Sequence, residues 1–244
     1  MLLRHFVLYS LFIFSSTAFA DCGANSQILG AVYEAVNIPN GEQDQKRRQV
    51  ILWRNGQQVA HEYKDTHIAE LWEKTKTGML RLERYFDEHK RGIEYQPSDI
   101  NSGRGTTDWS LRNQLISNEL LGSMQLTETK GKDCDVLEKY FFSDDNVSIE
   151  LDWLPELALI KNYSEESKAG KIQWKLQQVI LDEERVKKAF RIRSNYQTTD
   201  YADIGDNESD PFLMKMINLG HLNHSHSGFY NDQGQAFSGH SHNH

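Results

Sequence analysis

The run SMQLTETKGKDCDVLEKYFFSDDNVSIELDWLPELALIKNYSEESKAGKIQWKLQQV, residues 123–179, decides the fold. It holds five short segments rich in β-branched and aromatic residues, at 123–129, 134–142, 147–153, 157–163 and 172–179. Polar turns separate them at Lys130-Gly131-Lys132-Asp133, at Ser143-Asp144-Asp145-Asn146 and over 165–171. Short strands at this spacing, joined by tight turns, predict an antiparallel meander. Pro155 lacks a donor for a sheet ladder and so marks a break between the third and fourth strands.

Towards the N-terminus the same logic holds. Val50, Ile51, Leu52 and Trp53 lead into Asn55-Gly56, after which Val59, His61 and Tyr63 alternate with polar or small residues. Asn-Gly between such runs predicts a hairpin, because both central residues of its turn need positive φ. Ile68, Leu71, Trp72 and Thr75 then fall at i, i+3, i+4 and i+7, which predicts an amphipathic helix. A second hairpin pairs 79–86 with 93–95 across Asp87 to Gly92, and 97–107 reads as a loop. Residues 108–121 read as one helix stopped by Gly122. On the C-terminal side 183–190 reads as a short helix, with a last strand near Ile192 and Tyr196. Asp210, Pro211 and Gly220 then bracket a helix whose stripe of Phe212, Met216 and Leu219, with Leu213 and Ile217 beside it, predicts a docking face. The expected fold is therefore α+β and β-rich, a curled antiparallel sheet packed on one or two helices, plus a C-terminal helix.

The ends of the chain speak about location. Arg4 and His5, the apolar stretch 6–14 and Ala18-Phe19-Ala20 have the three parts of a signal peptide, with cleavage expected after Ala20. The apolar stretch is too short to span a bilayer, and the expected location is the periplasm. Cys22 invites a lipid anchor, but Asp21 stands where acylation wants a small uncharged residue. The 244 residues carry 27 Lys and Arg against 35 Asp and Glu, a net charge of −8, which argues against nucleic acid as a partner. The two cysteines, Cys22 and Cys134, read as a disulfide in an oxidising compartment, with two buried thiols as the alternative. The chain divides into a leader (1–20), a β-rich domain (21–200), an acidic segment with its docking helix (201–220), and a tail (221–244).

The exported start, the hairpins around Leu52-Trp53 and Tyr85-Phe86, and the run Glu138-Lys139-Tyr140-Phe141-Phe142 followed by 149–153 carry a family likeness. Leu154-Pro155-Glu156-Leu157 leading into Ile160-Lys161-Asn162-Tyr163 extends it. Over 45–196 the pattern resembles the LolA/LolB-like (lipoprotein-localisation fold) superfamily. That resemblance implies a half-barrel with a hydrophobic cavity for acyl chains or another apolar small molecule or lipid, and a membrane-associated export or transport partner. The large side chains available to line such a pocket are Trp53, Trp72, Tyr85, Trp109, Trp153 and Trp174, each of which is also ordinary core material. After Asp200 the sequence departs from the family.

The tail carries His221, His224, His226, His240, His242 and His244 among Gly, Ser and Asn. In extended chain the two imidazoles of a His-x-His pair lie on one side, and neutral imidazole suits zinc or copper. The competing readings are a solubilising tail, a terminal tag and adventitious binding. No Gly-x-Ser-x-Gly, His-Glu-x-x-His or Cys-x-x-Cys occurs, and His61, His67 and His89 have no nucleophile beside them, so no catalytic residue is expected. Two functions follow: a non-enzymatic periplasmic carrier for an apolar ligand, or a zinc or copper buffer or chaperone working through the tail.

Overall fold

A computed structural model describes residues 26–41, 45–102, 108–132, 135–207 and 209–218. The leader, Cys22, Cys134, Leu219, Gly220 and the six tail histidines lie outside the described residues. Among the described residues there are twelve strands: β1 (Ile28–Pro39), β2 (Lys46–Asn55), β3 (Gln58–Tyr63), β4 (Ile68–Lys74), β5 (Leu80–Phe86), β6 (Arg91–Tyr95), β7 (Gln125–Lys130), β8 (Leu137–Ser143), β9 (Val147–Leu154), β10 (Leu159–Ser167), β11 (Gly170–Ile180) and β12 (Gln197–Asp200). They form one sheet in the order β12-β6-β5-β4-β3-β2-β1-β11-β10-β9-β8-β7. Every pairing is antiparallel except β12 on β6, and the two edges do not meet. The sheet is therefore open, as the expected curled half-barrel requires. Among the described residues no helix is long and apolar enough to cross a membrane.

The meander over β7 to β11 and both hairpins form, but the polar turn expected over 165–171 narrows to Lys168-Ala169, because Glu165 to Ser167 continue β10 and pair with Gly170 to Ile172 of β11. Gly56 takes φ 65 in the β2–β3 turn, a left-handed value that suits a residue without Cβ. Pro155 opens a single 3-10 turn, Pro155–Leu157, between β9 and β10.

Four other expectations are corrected. Residues 68–74 are strand β4, not a helix: Ile68 and Trp72 share one face in either geometry, and the ladders offered by β3 and β5 on each side decide for the strand. The segment 97–107 is not loop throughout, because Pro97 starts a short helix α1 (Pro97–Ser102) whose entry is closed by Gln96 N–H donating to Asp99. The single helix over 108–121 is instead two, α2 (Trp109–Gln114) and α3 (Asn118–Ser123). Leu115 takes φ 65 between them, Ser117 caps α3, and Gly122 lies inside it. The last strand is β12 rather than a segment at Ile192–Tyr196, which ends and follows α4 (Glu183–Arg191).

The sheet has an inner and an outer face. On the inner face Leu29, Ala31, Tyr33, Val50, Leu52, Ile149, Leu151 and Trp153 pack under Leu115, Ile116 and Met124 from the α2–α3 segment. The inner face of β4 to β6 is covered by Ile100 of α1 and by Phe212, Leu213 and Met216 of α5 (Pro211–Asn218). The stripe expected on α5 is thus buried at these three positions, while Ile217 stays exposed. Asp210 anchors this helix: its carboxylate accepts from Phe212 N–H and from Arg91 at 2.8 Å, and the guanidinium beside it holds its carboxyl below the usual carboxylate range. On the outer face Val186 and Ala189 of α4 pack on Val32, Ile51 and Trp53. Arg193, just past α4, is clamped by Glu62 at 2.9 Å and Asp87 at 2.6 Å.

Candidate functional site

Strand parity places an unusual set of charged groups on the inner face. Arg54 is 1% exposed. Its guanidinium donates to four backbone carbonyls, those of Ser26 (3.2 Å), Asn113 (2.5 Å), Leu157 (2.7 Å) and Ala158 (2.5 Å). One side chain therefore ties together the start of β1, the end of α2 and the Pro155 turn. Burial lowers its pKa to about 10, with Tyr33 opposing, so the charge persists at neutral pH.

One register step further, His61 faces Glu70 on β4, and Glu70 faces Arg84 on β5. All three are buried. Arg84 donates to Glu70 Oε1 through Nε (3.1 Å) and the terminal nitrogen (2.8 Å), while Glu70 Oε2 has no partner among the described residues. His61 Nε2 lies 2.7 Å from the Arg112 carbonyl, so this nitrogen carries a proton and donates it to the carbonyl. Burial lowers the pKa of His61 to about 4, against the raising effect of its hydrogen bond and of Glu70. The Arg112 guanidinium stacks 4.1 Å over the Trp72 ring. With its hydrogen bond spent on a carbonyl and its basicity suppressed, His61 is a fastener for α2 rather than a proton-transfer group.

A different surface lies where the helices stop. Across β11, β10, β9, β8 and β7 the inner-face positions form two adjacent rows. The first is Trp174, Tyr163, Leu151, Tyr140 and Leu126, and the second is Ile172, Glu165, Ile149 and Phe142. Leu151 and Ile149 are buried, but Trp174, Tyr163, Tyr140, Phe142 and Ile172 are only half-buried and Leu126 is exposed. Half-buried Leu120 and Leu121 of α3 border this strip. The Tyr163 and Trp174 rings lie 6.0 Å apart, and Tyr33 and Trp174 6.5 Å apart. The Tyr140 hydroxyl donates to Glu138 at 2.8 Å and that of Tyr163 to Glu165 at 2.5 Å. Burial, then Glu165, pushes the Tyr163 phenol up, and it stays protonated as a donor. Four strand spacings from β11 to β7 give this trough a length of about 19 Å.

The six aromatic candidates divide between surfaces. Trp109, Trp153 and Trp174 belong to the inner face beside the trough, and Trp72 lies further along that face under Arg112. Trp53 and Tyr85 are on the outer face, Trp53 stacked on Gly30 beneath α4 and Tyr85 against Tyr196 and Gly92. A small cleft of about 90 Å³ lies between Phe86 and α5, lined by His67, Glu88, His89 and Lys215 among others. Lys215 Nζ stands 3.4 Å from His89 Nε2 there, so a cation already occupies the imidazole's surroundings. Among the described residues no group of three His, Cys, Asp or Glu is placed to hold a metal.

Sequence reading missed Arg54, Glu70, Arg84, Arg112, Tyr140, Tyr163 and Glu165. For Arg54, Glu70, Arg84 and Glu165 the available signal was a charged residue at an inward strand position, visible once a strand's parity is known.

No family model matches the chain, and no curated protein does. Solved structures do. An outer membrane lipoprotein-sorting protein domain from Vibrio parahaemolyticus is 8% identical over 68% of this chain and 92% of its own, at a TM-score of 0.32. A LolA superfamily protein from Nitrosomonas europaea is 9% identical over 64% of this chain and 86% of its own, at a TM-score of 0.31. PNGF-II is 12% identical over 71% of this chain at a TM-score of 0.35, and this chain spans 31% of that longer protein.

Proposed function

We propose that this chain is an exported, non-enzymatic binding or carrier protein for an apolar ligand such as an acyl chain, held on the inner face of the sheet. The observation that carries this reading is the trough over β7 to β11, where aromatic and aliphatic side chains at inward positions are left half-buried instead of sealed by helices. Contiguous apolar surface of this kind is costly in a soluble protein and is characteristic of a site that something else covers. The α2–α3 segment borders the trough and is pinned through its end by Arg54 and His61. The periplasm, reached through the leader 1–20, is the compartment this function requires, and a membrane-associated partner would load or unload the ligand.

Native mass spectrometry of the mature protein taken from its own compartment tests this reading. A lipid-sized adduct, weakened in Trp174→Ala and unchanged in Tyr85→Phe on the outer face, is the expected result. A ligand-free protein that also fails to take up a fatty acid in titration would overturn it.

The tail supports a second activity. Six histidines in 221–244, with His-x-His spacings at 224/226, 240/242 and 242/244, suit zinc or copper, and we propose metal binding there as an accessory to the carrier.

A further inference from the structure

We propose that the trough selects an amphiphile with a cationic, ammonium-type head group, and that Glu165 is the residue that recognises it; the inference rests on the trough reading above. Glu165 is the polar member of an otherwise apolar row, lying between Ile172 on β11 and Ile149 on β9. It is 6% exposed. Its recorded partner is the Tyr163 hydroxyl, and it forms no ion pair with any Lys, Arg or His among the described residues.

A carboxylate held away from water without a counter-charge is costly, and one tyrosine hydroxyl offsets only part of that cost. The contrast with the rest of the interior is direct. Glu70 has Arg84 and Glu62 has Arg193, each within 2.9 Å. Of the basic side chains that the β2 register puts on this face, Arg54 is spent on four carbonyls at the opposite end of the strand, and Lys46 and Arg48 stand three strands from β10, about 14 Å away. Among the described residues no basic side chain stands in the trough to welcome a phosphate or carboxylate head.

The surroundings add a second attraction for a cation. Trp174 and Tyr163 stand in the row adjacent to Glu165 with their rings 6.0 Å apart, and aromatic rings next to a carboxylate suit a quaternary ammonium. Glu138, hydrogen-bonded to Tyr140 on β8, adds a second carboxylate on the same face. An ammonium seated at Glu165 leaves its chain free to run along the Tyr163–Leu151–Tyr140–Leu126 row.

Isothermal titration of the mature protein with decyltrimethylammonium, decanoate and decyl maltoside, each below its micellar concentration and in about 0.15 M salt, tests this. The expected result is that the ammonium amphiphile binds about tenfold tighter than decanoate or the maltoside, as a desolvated cation–carboxylate contact allows. Glu165→Gln should abolish that preference while leaving the maltoside affinity unchanged. Glu166→Gln, which removes the same charge from the exposed opposite side of β10, should preserve it, so general attraction to an acidic protein is separated from recognition. Tyr163→Phe frees the carboxylate from its donor and should keep or strengthen the preference even if Glu165→Gln folds poorly. Equal affinity for the three head groups, or a preference that survives Glu165→Gln, would overturn the head-group inference alone. Absence of binding by all three would overturn the trough reading and this inference with it.

Discussion

Replacing Arg54 by Met should be the most damaging single change on the inner face. The four carbonyls that Arg54 holds belong to Ser26, Asn113, Leu157 and Ala158, so their separations in sequence reach more than a hundred residues. Each hydrogen bond from a charged donor contributes about 1.5 kcal/mol or more, and methionine keeps only the stem's packing. Allowing for carbonyls at the sheet's end that regain water, the loss comes to about 3–5 kcal/mol. For a domain of this size that is a fall in Tm of about 10 °C. Urea unfolding followed by tryptophan fluorescence measures the first quantity, and a thermal scan the second. Arg54→Lys keeps the charge but offers three donors from one point where the fork reached four acceptors, so it should fall between wild type and Arg54→Met. Limited proteolysis should open the α2–α3 segment first, because two of its fasteners are Arg54 and His61. A loss below about 1 kcal/mol for Arg54→Met would refute the view that this side chain holds three segments together.

Other expectations follow from the same geometry. A Cβ at Gly30 would come within 2.5 Å of the Trp53 ring, so Gly30→Ala should cost about 1–3 kcal/mol in urea unfolding. Trp53→Leu in the same chain should recover part of that loss, and simple additivity of the two would show that they do not meet. His61 has a folded pKa of about 4 against an unfolded value of 6.5, so the unfolded chain binds the extra proton between these values. Its contribution is fully present above pH 6.5 and is lost as pH falls towards 4, amounting to about 3 kcal/mol. His61→Gln should flatten the stability profile in that window, and an unchanged slope would contradict the assignment. Zinc affinity, read by competition with a chelating dye, should vanish in a chain ending at Gly220 and collapse near pH 5, where exposed imidazoles protonate. If Cys22 and Cys134 form the expected bridge, thiol titration of the unfolded, unreduced mature protein will find no free thiol; two free thiols would remove it.

Much of the fold is written locally. Asn55-Gly56 makes its turn whatever surrounds it, and the polar turns from Lys130 to Lys171 chop the chain into strands whose direction must alternate. Asp182 and Asp210 cap helices because a carboxylate satisfies backbone N–H groups within its own turn. Non-local facts were beyond reach. β1 escaped because a central strand flanked by β2 and β11 is buried on both faces over Leu29–Tyr33, leaving no alternation to read. Residues 68–74 carry a spacing that fits a helix, and only the neighbouring ladders make them a strand. The candidate site shows the division most clearly. The sequence pattern ends a strand at Tyr163 and puts Glu165 in a polar turn; pairing with β9 and β11 carries β10 on to Ser167 and sets Leu151, Trp174, Ile149 and Ile172 around the two side chains. The sequence by itself determined the turns, the caps, the alternating strands and the histidine tail, because those depend on neighbours a few residues away. Which charges are buried, which aromatics are left half-open, and which carboxylate lacks a counter-ion depend on strand register across the sheet, and tertiary structure alone decides that.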